Sequence, residues 1–259
     1  MARAAELLTS TLPSQRYLIP EWPAPANVLA VASKRDLVKS DANPMAGFNV
    51  ARHVADDLQR VARHRQQLRR DLQLPQEPVW LNQVHGTKVI SLPLPESTVV
   101  DADASFSYQS GQACVVMTAD CLPVLFCDRQ GTRVAAAHAG WRGLAEGVLE
   151  NTLALFPNPH EVMAWLGPAI GPHAFEVGED VKQAFVAGGS QAEACFVRRP
   201  NIPGKYLADL YALARLRLQG CGVESIYGGQ ECTFVQEQEY FSHRRNPNSG
   251  RQLSLISLL

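Results

Sequence analysis

No run of 18 or more apolar residues occurs in this 259-residue chain, which excludes a single-pass transmembrane helix. Net charge is nearly absent too: 24 basic residues face 25 acidic ones, and the formal charge is -1. No global field therefore draws the chain to nucleic acid or to an anionic membrane. Six cysteines are scattered without a C-x-x-C pair, so neither a thioredoxin-type dithiol nor a short zinc knuckle can be read. Seven histidines include no His-x-His, and the chain cannot by itself assemble the histidine pairs of a multi-ion copper cluster. The N-terminus, MARAAELLTSTLP, is interrupted by Glu6 and Pro13, so no signal peptide is expected. Reduced thiols and a cytoplasmic location follow as expectations. Internal repeats, low-complexity tracts and clear linkers are also missing.

What is present is an ordinary globular composition, 46% hydrophobic, with enough length to bury a real core. Residues 19–27, IPEWPAPAN, read as an extended lead-in. Strand patterns run over residues 27–33, 79–81, 89–92, 113–117, 124–128, 133–138, 162–166 and 225–227. Helical spacing covers residues 54–72, 144–156, 179–187 and 207–218, and residues 34–47 read as a loop. These elements mix without a regular βαβ rhythm. The expected fold is α/β: one layered domain over residues 1–259.

TADCLPVLF, residues 118–126, places a carboxylate, a thiol and a proline between two apolar runs. Such groups cost free energy to bury and call for a reason. Three side chains at the ends of strand-like segments invite a joint reading: His85 in NQVHG, Cys121 in TADC and His138 in AAAHAGWRG. Two imidazoles and a thiolate suit zinc, and three protein ligands leave a fourth position for water or substrate. The competing reading is a buried small thiol and two satisfied histidines. Spacing alone does not separate the two.

AGWRG, residues 139–143, sets two glycines around Trp141-Arg142 before a helix, an anion-holding pattern or an ordinary strand-to-helix turn. Arg65 falls on the apolar stripe of the 54–72 helix, where a guanidinium needs a carboxylate, a carbonyl, a bound anion or a snorkelling stem. Arg244, Arg245 and Arg251 cluster with turn residues near the C-terminus, to bind an anionic group or to tie down the chain end. GPAIGPHAFEVG, residues 167–178, reads as a rigid loop at a cleft rim.

Taken in order, NQVHG, DADA (101–104), TADCLPVLF, AAAHAGWRG, WLGPAIGPHAFEVG, GGQECT and FSHRR closely resemble the YfiH family. These are also called laccase-domain or purine nucleoside phosphorylase-type proteins. The resemblance runs from residue 18 to the C-terminus. It implies a compact, cysteine-hydrolase-like α/β domain with mixed β-sheets flanked by helices, residues 1–17 being an N-terminal extension, and a zinc ion on His85, Cys121 and His138, with copper the lesser alternative. These three would also be the catalytic set. It further implies phosphorolysis of purine nucleosides and deamination of adenosine, with nucleoside and phosphate held by Phe48, Asn49, Arg65, Gln83 and Arg142.

Rival readings of the same residues are a cysteine or metal hydrolase editing peptidoglycan precursors, with Cys121 as nucleophile and His138 as base, and a copper polyphenol oxidase. A metal-stabilised scaffold is the non-enzymatic alternative. The sequence also departs from the family pattern: a glycine pair is missing, and Ala51 and Ala55 stand where glycines are usual. Alanine follows glycine into positive φ only with strain, so this loop is expected to differ in shape.

Overall fold

Val28–Ser33 is six residues long and buried throughout. Its side chains alternate between two cores: Val28, Ala30 and Ala32 face one, Leu29 and Val31 the other. A strand buried on both faces needs a packed layer on each side. The computed structural model describes residues 4–37, 43–95 and 100–259, and both layers are there.

The chain begins with a short helix α1 (Ala4–Thr9), then β1 (Tyr17–Leu18), β2 (Val28–Ser33), α2 (Leu58–Asp71), β3 (Val89–Ser91) and β4 (Ala104–Ser107). The central strands β5 (Ala113–Thr118), β6 (Leu122–Asp128) and β7 (Val134–Ala139) lead into α3 (Trp141–Glu146) and α4 (Val148–Leu153). There follow β8 (Val162–Leu166), β9 (Glu176–Gly178), α5 (Glu179–Val186), β10 (Phe196–Arg198), β11 (Lys205–Ala208), α6 (Leu210–Gly220), β12 (Ser225–Gly228) and β13 (Gln252–Leu258).

Four strands form an antiparallel sheet in the order β1-β2-β13-β5. Six form a mixed sheet, β12-β8-β6-β7-β4-β3, parallel only at β12–β8 and β3–β4. A small antiparallel sheet, β10-β11-β9, stands apart from both. The two larger sheets face each other: Cys114, Val116 and Ile256 of one meet Leu125, Ala136 and Met163 of the other. The far face of the six-stranded sheet, with Val124, Phe126 and Ala137, packs against Leu144, Leu149, Phe185 and Leu218 of the helices. The far face of the four-stranded sheet packs Val115 and Leu255 against Leu68 and Leu72 at the end of α2. The layers thus run helix, sheet, sheet, helices.

Local chemistry moves several expected boundaries. The helix expected from residue 54 starts at Leu58, because Asp57 takes the N-cap and accepts from the Arg60 amide at 2.7 Å. The helix expected over 144–156 is two helices, broken at Gly147, whose φ of 105° lies in the left-handed region. The segment 205–208, read partly as helix, is strand β11, and α6 starts after the N-cap Asp209. Residues 79–81 form no strand; Asn82 makes an isolated bridge to Asp101 instead. The C-terminal run QLSLISL, given no strand by the sequence reading, is β13, an inner strand of the four-stranded sheet. Of the loop expected over 34–47, residues 38–42 lie outside the described residues. Neither Ala51 nor Ala55 has a positive φ, so both alanines sit in backbone conformations that alanine adopts without strain.

Candidate metal centre and its cavity

β5 belongs to one sheet and β6 to the other, and Ala119, Asp120 and Cys121 carry the chain across between them. Asp120 makes the crossing with a φ of 91°. Its carboxylate accepts from Thr233 Oγ1 at 2.7 Å and from the Arg244 amide at 2.6 Å, and its carbonyl accepts from the Ile170 amide at 2.9 Å. The buried acid in TADC is therefore a junction of three distant segments, and Cys121 is the next residue.

His138 sits near the end of β7. Along that strand Ala135 and Ala137 face the helices while Val134 and Ala136 face the other sheet. The period of two gives His138 the parity of Val134 and Ala136. His85 lies in a loop with a φ of 61°, not at a strand end. That loop is stitched to β5 by Gln83. Its Nε2 donates to the Met117 carbonyl and its Oε1 accepts from the Met117 amide, both at 2.8 Å. The side-chain amide thus acts as a strand partner for the edge of the sheet.

One ligand atom from each of His85, Cys121 and His138 lies within 4.8 Å of the other two. Cys121 Sγ is 3.7 Å from His85 Nε2. A tetrahedral zinc with ordinary bond lengths separates its nitrogen and sulfur ligands by about 3.5 Å. His138 Nδ1 donates to Asp103 Oδ1 at 2.8 Å, which leaves Nε2 free as a donor to a metal. Among the described residues this is the one such cluster of histidine, cysteine and carboxylate groups. The donor set, its spacing and the oriented imidazole all fit a single divalent ion.

Burial would push the Cys121 thiol up, yet His138 and His85 bring it down to about 6. Burial likewise opposes the charge on His138, but Cys121 and Asp103 raise it to about 9. Without a metal the two form a thiolate–imidazolium pair. Cys114 is pushed up to about 12 by burial, and Cys127 is raised by burial and Asp128, so these two remain inert thiols.

The cluster lines a cavity of about 490 Å³. Met117, Ile170, Phe175 and Leu210 give it apolar walls. Arg142, Arg244 and Arg251, with His53 and His243, give it positive or polar ones. Arg142 is exposed, its guanidinium 4.5 Å from the ring centre of Trp141, which also lines the cavity. Among the described residues the Arg142 guanidinium has no hydrogen-bond or salt-bridge partner. Ile170 and Phe175 come from the GPAIGPHAF loop.

Of the residues expected to hold substrate, Gln83 and Arg142 line this cavity, while Phe48, Asn49 and Arg65 do not. Both polar ends of the Gln83 amide are already engaged by Met117. Phe48 packs in the core beneath α2, edge-on to Tyr17. Asn49 is fully buried and binds Asp56 and the amides of Ala51 and Arg251. Arg65 finds a carbonyl: its Nε donates to Val50 O at 2.8 Å, and its guanidinium lies 3.7 Å from the Trp80 ring centre. Burial lowers its pKa to about 10, and Arg52 adds to the effect. The C-terminal arginines divide their work. Arg245 binds the carbonyls of Thr233, Phe234 and Tyr240 and ties down the chain, whereas Arg244 and Arg251 reach the cavity. Phe175 lies in the 167–178 loop expected at a cleft rim, but nothing local marks which side chains of that loop, or of the segment carrying His53, face the cavity.

Residues 30–259 match the family described as multi-copper polyphenol oxidoreductase laccase. A protein named purine nucleoside phosphorylase YfiH from Escherichia coli is 48% identical over 245 residues, covering 94% of this chain and 99% of its own. A purine nucleoside phosphorylase of Pseudomonas aeruginosa is 50% identical over 243 residues, covering 93% and 98%. A solved Neisseria meningitidis structure superposes with a TM-score of 0.88 at 48% identity, covering 94% of this chain and 99% of that one. A Bacillus licheniformis YfiH structure does so with a TM-score of 0.87 at 25% identity, covering 96% and 98%. With its mixed sheets, its order of motifs and these relatives, the chain belongs to the YfiH family of laccase-like domains.

Proposed function

We propose that the protein is a zinc-dependent purine nucleoside phosphorylase. One observation carries this reading: a three-donor His, His, Cys cluster opens into a cavity whose wall presents three arginines beside apolar side chains. The relatives named for this activity support it. An apolar wall suits a purine ring, and guanidinium groups suit a phosphate oxyanion.

Phosphorolysis breaks the bond between base nitrogen and sugar carbon while a phosphate oxygen bonds to that carbon, through a cationic sugar as in glycoside hydrolysis. His85, Cys121 and His138 would hold the ion, which when bound supplies a Lewis acid to polarise an oxygen or nitrogen of the substrate. Arg142, Arg244 and Arg251 hold phosphate against the sugar. Phe175, Ile170 and Leu210 bury the base and exclude water from the reacting carbon. The Asp120 carboxylate already accepts two hydrogen bonds, and its work is to fix Cys121 and the Arg244 backbone.

Adenosine deamination is proposed as a second reaction of the same centre, because an open metal position beside a purine pocket serves both chemistries. The family description names copper. A single cluster holding a thiolate suits zinc at least as well, and it does not supply the several ions of a multi-copper oxidase. A Cys121 nucleophile with His138 as base, acting on peptidoglycan precursors, uses the same atoms and is the rival enzyme reading.

The deciding experiment incubates zinc-loaded protein with adenosine, inosine or guanosine and phosphate. Free base and ribose 1-phosphate are expected, with inosine appearing from adenosine. No turnover of any nucleoside by protein carrying one zinc per chain would overturn the proposal. Turnover of a peptidoglycan precursor after complete metal removal would favour the nucleophile.

A further inference from the structure

Asp103 is fully buried and does not line the cavity, yet it touches both imidazole ligands. Its Oδ1 accepts from the His85 amide at 2.9 Å and from His138 Nδ1 at 2.8 Å. Its Oδ2 accepts from the Gly86 amide at 2.7 Å and the Val84 amide at 3.2 Å. The Asp103 carbonyl, in turn, accepts from the His138 amide at 2.6 Å. One carboxylate thus satisfies four donors, three backbone amides of residues 84 to 86 and the ring Nδ1 of residue 138.

Three successive amides, 84 to 86, converge on a single anion. That is the geometry of a backbone nest, which is formed by turning a residue into the left-handed region. The turned residue is His85, with a φ of 61°. A non-glycine residue holds that conformation only when its surroundings compensate, and the carboxylate does so. Asp103 is itself held just before β4, where its own amide donates to the Lys88 carbonyl at 3.0 Å.

We propose that Asp103 is the positioning residue of the metal centre and sets both histidine ligands at once. Toward His138 it accepts the Nδ1 proton, so that Nε2 faces the ion. Toward His85 it grips the peptide instead of the ring, and so holds the left-handed turn that brings Nε2 within 3.7 Å of Cys121 Sγ. A usual outer partner orients one imidazole. Here the same carboxylate fixes one ligand by its ring and the other by its backbone, so loss of its charge releases both. The inference rests on the metal reading of the cluster, not on the identity of the substrate.

The test is Asp103→Asn, which keeps the shape but places an amide donor against groups that also donate. Zinc affinity of metal-stripped protein is read by competition with a chromophoric chelator, and cobalt-loaded protein is read by its thiolate charge-transfer and d–d bands. Zinc binding about 10- to 100-fold weaker is expected, with altered cobalt bands and little change in the melting temperature of the metal-free form. Wild-type affinity with an unchanged cobalt spectrum would overturn the proposal. A second measurement needs no variant: nitrogen-15 spectra of zinc-loaded wild-type protein should show His138 protonated at Nδ1 and coordinated through Nε2. Coordination through Nδ1 would overturn the proposal even if Asp103→Asn does not fold. Nucleoside turnover enters neither readout, so failure of phosphorolysis and failure of this assignment are separate results.

Discussion

A Cβ placed on Gly140 would stand 2.7 Å from Cδ2 of His85 and 3.2 Å from Sγ of Cys121. The space beside two of the three donors is thus open only because residue 140 has no side chain. Gly140 has a φ of -58°, which any residue can adopt, so the restriction is steric and not conformational. Gly140→Ala is expected to displace the His85 ring and to lower metal occupancy at least tenfold with the fold intact. Elemental analysis of the purified variant beside its circular dichroism spectrum checks this. Full occupancy would mean that the ring yields without cost.

Cys121→Ala should leave a folded protein without the metal. The residue lies in a crossing fixed by Asp120, whose bonds to Thr233 and to the Arg244 amide do not involve the sulfur. Metal content should fall from one ion per chain to near zero, and nucleoside turnover should go with it. The melting temperature should match that of metal-stripped wild-type protein within a few degrees. An unfolded variant would give the sulfur a structural role instead.

Thiol reactivity should separate the cysteines by pH. In metal-free protein Cys121 carries its charge above about 6. Its alkylation by iodoacetamide should therefore rise through that pH and level off near neutrality, since only the thiolate attacks. Cys114, held as a thiol up to about 12, should stay unlabelled across the same range. Zinc should protect Cys121. Peptide mapping by mass spectrometry reads all three results, and labelling of Cys121 that begins only near pH 8 would contradict the thiolate–imidazolium pair.

The arginines should divide into two groups. Arg142→Ala and Arg244→Ala remove guanidinium groups from the cavity wall, and each is expected to raise the KM for phosphate about 10- to 100-fold, the range for a charge-assisted hydrogen bond. Arg65→Ala removes a bond to Val50 O and a stack on Trp80. It should cost about 2 kcal/mol of stability and leave the phosphate KM unchanged. Steady-state kinetics with denaturant melts separate the two effects. A raised phosphate KM in Arg65→Ala at full stability would bring that arginine back to the substrate.

The sequence by itself marked the strands that carry the centre, because their apolar runs are local: ACVVM, VLF and VAAAH sit in β5, β6 and β7. It also singled out Cys121 and His138, since reactive groups at the ends of buried runs stand out against the cost of burying them, and it grouped His85 with them through a strand-like segment that is a loop in the structure. Arg65 was legible as an anomaly on a buried stripe, but the stripe could not say which partner it meets. That partner, Val50 O, lies outside the helix.

Tertiary structure alone decided the rest. Periods of 2 and 3.6 describe which face of an element is buried, and they are silent on which elements share a sheet. QLSLISL became an inner strand through its pairing with β2 and β5, across more than a hundred residues. That pairing places Arg251 beside the cavity, at the residue preceding β13. DADA revealed no role in the sequence, because the four donors that Asp103 satisfies come from residues 84, 85, 86 and 138 and meet only once the sheets are formed. The donor types of the centre are written in the chain, whereas their convergence is a property of two sheets packed face to face with Cys121 at the crossing between them.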